Sequence, residues 1–175
     1  MSIKRTCIAL CLIIVCLFSS VNIAEAYVKE AWRFLSKSVN FKWGDRLTIS
    51  GSTIRNGWES ANAAWKSASS FNFTVSSSSS NILNSWFESS TTKYGRMTTT
   101  YNTSTKRVVK FVGEMNAGNS NISKTNVAKS VGVYELGHAI GIGHNSGTSI
   151  MNSGRDRTKM HVPQTDDKNG VNAIY

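Results

Sequence analysis

An α+β domain is what the chain predicts beyond its first 26 residues, and three patterns predict it. Ile54, Trp58, Ala61 and Trp65 recur at spacings of four, three and four, the period of a helix with one apolar face. Phe71-Asn72-Phe73-Thr74-Val75 and the runs 94–101 and 108–115 are rich in β-branched and aromatic residues and read as strands. A second helical stripe, Val127, Val131, Tyr134 and His138, runs toward Ile140 and carries ionisable groups among its apolar ones.

In chain order, residues 27–35 carry apolar side chains without a period and lead into a first strand at Phe41-Lys42-Trp43 and Leu47-Thr48-Ile49. Ser52 or Thr53 is placed to cap the first helix. Its Ile54–Trp65 stripe reads as core, because an aromatic face at helical spacing packs against a sheet far more often than it binds a ligand. After the 71–75 strand, the serine run 76–80 and Asn81 read as a loop. A short apolar run at 82–87 leads into the strands 94–101 and 108–115, joined through Asn102-Thr103-Ser104-Thr105. Asn119-Ser120-Asn121 breaks the pattern, and Ser123 or Thr125 is placed to cap the second helix. The five tryptophans and every phenylalanine beyond Phe18 are expected in the core.

The first 26 residues read as a secretory signal peptide. Lys4 and Arg5 precede an apolar run at 7–18, and Ala24-Glu25-Ala26 forms a small-residue cleavage signal before Tyr27. The apolar run is too short to span a bilayer, so residues 27–175 are expected to be one secreted domain with no transmembrane segment. Cys7, Cys11 and Cys16 all lie in that leader, which leaves the domain without thiols or disulfides. The chain has 20 Lys+Arg against 10 Asp+Glu, a net charge of +10. With Lys4, Arg5 and Glu25 removed the domain still carries +9, a balance suited to association with anionic cell-surface polymers. No motif for specific nucleic-acid binding accompanies the charge, and a monomer is expected.

The chemistry is concentrated in Glu135-Leu136-Gly137-His138-Ala139-Ile140-Gly141-Ile142-Gly143-His144, an E-x-x-H-x-x-G-x-x-H segment. On a helix, positions i and i+4 lie one above the other on the same face, so Tyr134 and His138 form such a pair. Gly141 can end the helix in a left-handed turn, after which the chain can bring His144 back toward His138. Met151 follows seven residues after His144. A glutamate, two histidines and a glycine at four fixed offsets arise by chance in roughly one protein in several thousand at ordinary residue usage.

This segment resembles the metzincin metallopeptidases, whose H-E-x-x-H-x-x-G-x-x-H motif is followed by a methionine turn. The short gap to Met151 and the stretch 164–175 are most similar to the matrixin branch, including its small secreted bacterial members. The resemblance implies a twisted mixed sheet with a long helix packed on it, an active-site helix, a methionine turn and a C-terminal helix. It implies a Zn2+ cofactor with His138 and His144 as ligands, Glu135 as general base and Met151 beneath the metal. Asp166 and Asp167 would be the carboxylates that brace the methionine turn and the chain start. The substrate would be a protein or peptide, added as an extra strand to a sheet edge, with 108–116 the best candidate for that edge. Calcium sites are not assigned by the sequence. The departure is Tyr134, which stands where the first zinc-ligand histidine belongs. A phenol titrates near 10, so binding zinc requires removing a proton that a neutral imidazole never carried. The resemblance therefore implies a secreted zinc-dependent endopeptidase, with a catalytically inactive peptide- or surface-binding module as the alternative.

Overall fold

A computed structural model describes residues 27–47 and 49–175; the leader read at 1–26 lies outside them. The elements are β1 (Val28–Lys29), β2 (Ser38–Trp43), α1 (Thr53–Ser69), β3 (Asn72–Val75), β4 (Ile82–Trp86), β5 (Gly95–Tyr101), β6 (Val108–Asn116), α2 (Thr125–Ala139), β7 (Ile142–Gly143) and α3 (Thr165–Ile174). The class is α+β with a mixed sheet. Five strands run in the order β3-β2-β4-β6-β5, and a separate ribbon pairs β1 with β7. β2 is parallel to β3 and β4, and β4 to β6, while β5 runs antiparallel to β6.

The long helix α1 starts where the sequence placed it. Ser52 is its N-cap, and the hydroxyl accepts from the Arg55 backbone N–H at 3.2 Å, which satisfies one of the helix's orphan donors. Its stripe of Ile54, Trp58, Ala61 and Trp65 is buried. α1 and α2 pack on each other and on the sheet. The two buried indoles also have acceptors for their N–H groups: Trp58 donates to the Asn84 carbonyl at 3.2 Å and Trp65 to the Val133 carbonyl at 2.8 Å.

Four expectations need correction. Val108–Asn116 is not the sheet edge: β6 is sandwiched between β4 and β5, and β5 is the edge beside α2. Alternation within each strand carries no information on strand order, so only the fold could settle this. The tryptophans are not all core, because only Trp58 and Trp65 are completely buried, while Phe87 is 67% exposed at the end of β4. Neither Ser123 nor Thr125 caps α2. Lys124 occupies the N-cap without a side-chain bond, because a 3-10 turn at Ser120–Ser123 leads directly into the helix. Leu47 is buried in a further 3-10 turn, Asp45–Leu47, rather than in a strand.

Burial predicts which aromatic side chains hold the fold. Truncating Trp65, which touches both helices, should cost about 3–5 kcal/mol through lost transfer energy and a residual cavity. Phe87→Ala should cost less than about 0.5 kcal/mol, the usual range for surface positions. Urea denaturation of the two variants measures the contrast.

Candidate metal centre

Helix α2 delivers the first half of the site, and the chain reversal after it delivers the second. The helix ends at Ala139, with the Ile140 N–H on the Leu136 carbonyl and the Gly141 N–H on the His138 carbonyl, each at 3.0 Å. Gly141 has φ +92°, a conformation that side-chain-bearing residues rarely adopt, and a Cβ there would stand 2.5 Å from the Trp32 carbonyl oxygen. The lead-in segment clamps this reversal. The Glu30 N–H bonds the Gly141 carbonyl at 2.9 Å, and the Trp32 indole N–H bonds the His138 carbonyl at 3.1 Å. The reversal brings His144 back over the helix, where its Nε2 lies 3.1 Å from Nε2 of His138. Tyr134, one turn earlier, points to the same spot, with its Oη 2.6 Å from His144 Nε2.

The floor beneath the two imidazoles is apolar and close-packed. Met151 is completely buried against Gly137, whose missing side chain leaves room for the methionine sulfur, and Trp65 closes the same space. Asp167 holds the turn that presents Met151. Its buried carboxylate accepts from the Ser149 hydroxyl, from the Ile150 N–H at 2.8 Å and from the Met151 N–H at 3.4 Å. It also accepts from the Gln164 N–H at 2.7 Å, closing a capping box at the start of α3. Asp166 accepts from the Asn145 amide at 2.6 Å, one residue past His144. Burial, with the neighbouring charge of Asp167 second, raises its pKa. The adjacent carboxylates thus fix two points of one loop.

Glu135 is 4% exposed, on the wall of a cleft of about 370 Å³ that opens beside Tyr134. Burial pushes its pKa up to about 8, opposed by Arg155 and Arg157. β5 comes so close that a Cβ on Gly95 would stand 2.6 Å from a Glu135 carboxylate oxygen. The Tyr134 phenol is likewise pushed above its ordinary pKa, by burial and then by the Glu135 charge, with the two arginines acting the other way. The Arg155 guanidinium lies 4.4 Å from the centre of the Tyr134 ring. His144 is shifted down, by burial and then by the charge of His138, which favours a neutral imidazole.

These donors can be tested against zinc. Two ligands on a tetrahedral zinc stand roughly 3.3 Å apart, from bonds of about 2.0–2.1 Å. The His138–His144 separation of 3.1 Å matches that requirement. Tyr134 Oη, at 2.6 Å from His144, is at hydrogen-bond range instead and has to shift outward to share an ion. Among the described residues no group of three His, Cys, Asp or Glu side chains is placed to hold one ion, and the oxygen that stands against the His138–His144 pair is the Tyr134 phenol. His161 lies apart, its Nε2 on the Thr158 carbonyl at 2.8 Å. The set therefore fits a divalent metal through two imidazoles and one reluctant oxygen.

No protein-family model matches the chain, and no curated protein matches it. Three contributors at the site escaped the sequence reading. Glu30 lies 3.6 Å from His138 Nδ1, and that ring, outweighing burial, holds its pKa down. A carboxylate behind a ligating histidine commonly fixes the ring's orientation and raises its basicity. Arg155 is buried with its guanidinium on the Ser130 hydroxyl, the Ser130 carbonyl and the Asn152 carbonyl. Arg157 lies over the Tyr94 ring in the lining of the cleft. Glu30 lies over 100 residues from its partner, and neither arginine belongs to a spaced motif, so no local signal marks them.

The raised pKa of Glu135 has a consequence for stability. A carboxyl that holds its proton more tightly when folded contributes full stability below its unfolded value of 4.5. That contribution is lost as pH rises toward and through about 8. Glu135→Gln, which cannot ionise, should therefore gain on the wild type by at most about 4 kcal/mol near pH 8 and by almost nothing at pH 4. Thermal denaturation in chelator across that range checks the sign. A gap that widened toward low pH would be the opposite result.

Proposed function

We propose that the protein is a secreted, zinc-dependent endopeptidase of the matrixin-like kind, with a metal site weakened by Tyr134. The observation that carries this reading is the convergence of His138 and His144, with nitrogens 3.1 Å apart, next to a buried glutamate and above a buried methionine. Support also comes from the edge position of β5 beside α2. A free edge can take an extended peptide as one more strand, through main-chain hydrogen bonds alone. The leader at 1–26 is the ground for secretion.

His138, His144 and the oxygen of Tyr134 would hold the ion, which when bound supplies Lewis acidity at the scissile carbonyl and a more acidic water. Glu135 takes a proton from the attacking water and hands it to the departing amine, the general acid–base part of the reaction. Its wall position keeps the carboxyl out of bulk solvent, and cation charge nearby favours the ionised form that this role requires. Glu30 orients the His138 ring from behind. Asp167 and Met151 keep the His144 loop from collapsing onto the helix.

Tyr134 favours a second reading, a peptide-binding module without turnover. Its hydroxyl is bonded to the His144 nitrogen that a metal needs, and its surroundings oppose loss of the phenol proton. A site worth roughly 10–16 kcal/mol with all its ligands, and losing about 3 kcal/mol to one poor ligand, is about a hundredfold weaker.

The dialysed protein from residue 27 onward should hold less than one zinc per chain and hydrolyse casein weakly, in a reaction blocked by chelator. Tyr134→His should raise zinc retention and peptidase activity by about tenfold or more, because it restores a neutral nitrogen donor. Adding Glu135→Gln to that variant should abolish hydrolysis and leave the metal bound. A well-folded protein that takes up no zinc, with or without the histidine, would refute the enzyme and leave the binding module.

A further inference from the structure

The cleft beside Glu135 is unusual in its charge. Lys93, Arg155 and Arg157 line it together with Tyr94, Tyr134 and Glu135, so three cations face one carboxyl group. The two arginines differ in how far the protein satisfies them. Arg155 is buried, and each of its three nitrogens is bonded to Ser130 or Asn152, so it adds charge to the wall while three bonds hold it in place. Arg157 sends Nη2 to the Ser153 carbonyl at 3.1 Å, while its Nε is buried with no hydrogen-bond partner. One protein hydrogen bond thus holds a guanidinium that carries five N–H donors. The guanidinium also lies over the Tyr94 ring, 4.4 Å from its centre, and both residues line the cleft. It is therefore pre-positioned, and its planar fork suits a carboxylate in two-point contact.

We infer that this cleft selects an acidic side chain, an aspartate or glutamate of the peptide next to the reacting bond, with Arg157 as its principal counter-ion and Lys93 as a second charge. The inference deepens the peptidase reading and rests on it for the identity of the ligand as a peptide. An apolar side chain entering the same space would strip water from Lys93 and the Arg157 guanidinium without compensation. A basic side chain would add a fourth positive charge. The discrimination belongs to Arg157 because a single protein hydrogen bond holds its guanidinium, against three for Arg155.

Binding and cleavage are measured separately so that the two readings can fail separately. For binding, two labelled pools of random hexapeptides, one with glutamate and one with glutamine at the third position, are titrated against the protein in chelator by fluorescence anisotropy. The glutamate pool should bind about tenfold tighter, the gain typical of a charge-assisted pair. Arg157→Gln should erase that difference without weakening the glutamine pool. Arg157→Lys should keep part of it, and Lys66→Gln, an exposed cation on α1 away from the cleft, should keep all of it. Equal binding of the pools, binding of neither, a glutamate preference that survives Arg157→Gln, or an equal loss in Lys66→Gln overturns the inference. For cleavage, zinc-loaded Tyr134→His is given a mixture of peptides, and the residues flanking each cut are identified. Acidic residues should be enriched at one flanking position, and cuts without that enrichment overturn the inference. Tight binding of the glutamate pool without any cutting would leave the acidic cleft standing and remove the peptidase.

Discussion

The site depends on one reversal of the chain at Gly141. α2 carries Tyr134, Glu135 and, a turn later, His138 on one rigid helix, but a helix alone presents too few donors in one direction to hold an ion. The left-handed residue at Gly141 stops the helix and turns the chain so that His144 faces His138. The Trp32 carbonyl occupies the space where any larger residue would place its Cβ. The reversal is held from both sides. β1 pairs with β7 along its outer edge, and the Tyr175 hydroxyl bonds the Ile140 carbonyl while accepting from the Phe34 N–H. Asp167 then fixes the next stretch by taking three donors from the loop that presents Met151.

Electrostatics at the site pull in two directions, and Tyr134 is where they meet. The half-buried phenol of Tyr134 and the buried carboxyl of Glu135 each favour the protonated form. A divalent cation favours the reverse for both. The positive charges of Arg155 and Arg157 shift that balance partway toward the charged forms of both groups. A histidine at position 134 would carry no proton to lose from its ligating nitrogen. With a tyrosine there, an ion bound through that oxygen would require a deprotonation that burial makes harder.

Much of this was legible in the sequence, and the parts that were not share a cause. The helical stripe of α1, its Ser52 cap and the strand at 72–75 are local patterns, and local patterns survive folding because they report which face is buried. The E-x-x-H-x-x-G-x-x-H spacing is also local, and its residues come together as helix geometry plus one turn require. The order of strands is not local. Residues 108–116 and 95–101 look equally strand-like, and only their pairing shows that the latter is the edge. The same holds for Glu30 behind His138 and for the stacking of Arg157 on Tyr94. Each is a contact between segments far apart in the chain, where residue type alone does not name the partner. Tryptophan content was a poor guide to the core, because Trp43 and Trp86 each lie under an arginine near the surface.

The central claim is that His138 and His144 share one metal ion. X-ray absorption at the zinc edge of the zinc-loaded protein tests it most directly, because imidazole ligands leave a characteristic outer-shell scattering pattern. The account predicts two imidazole nitrogens at about 2.0–2.1 Å, with oxygen completing the shell. Substituting either histidine should halve the imidazole signal. A shell of oxygen alone, or a signal unchanged by both substitutions, would contradict it.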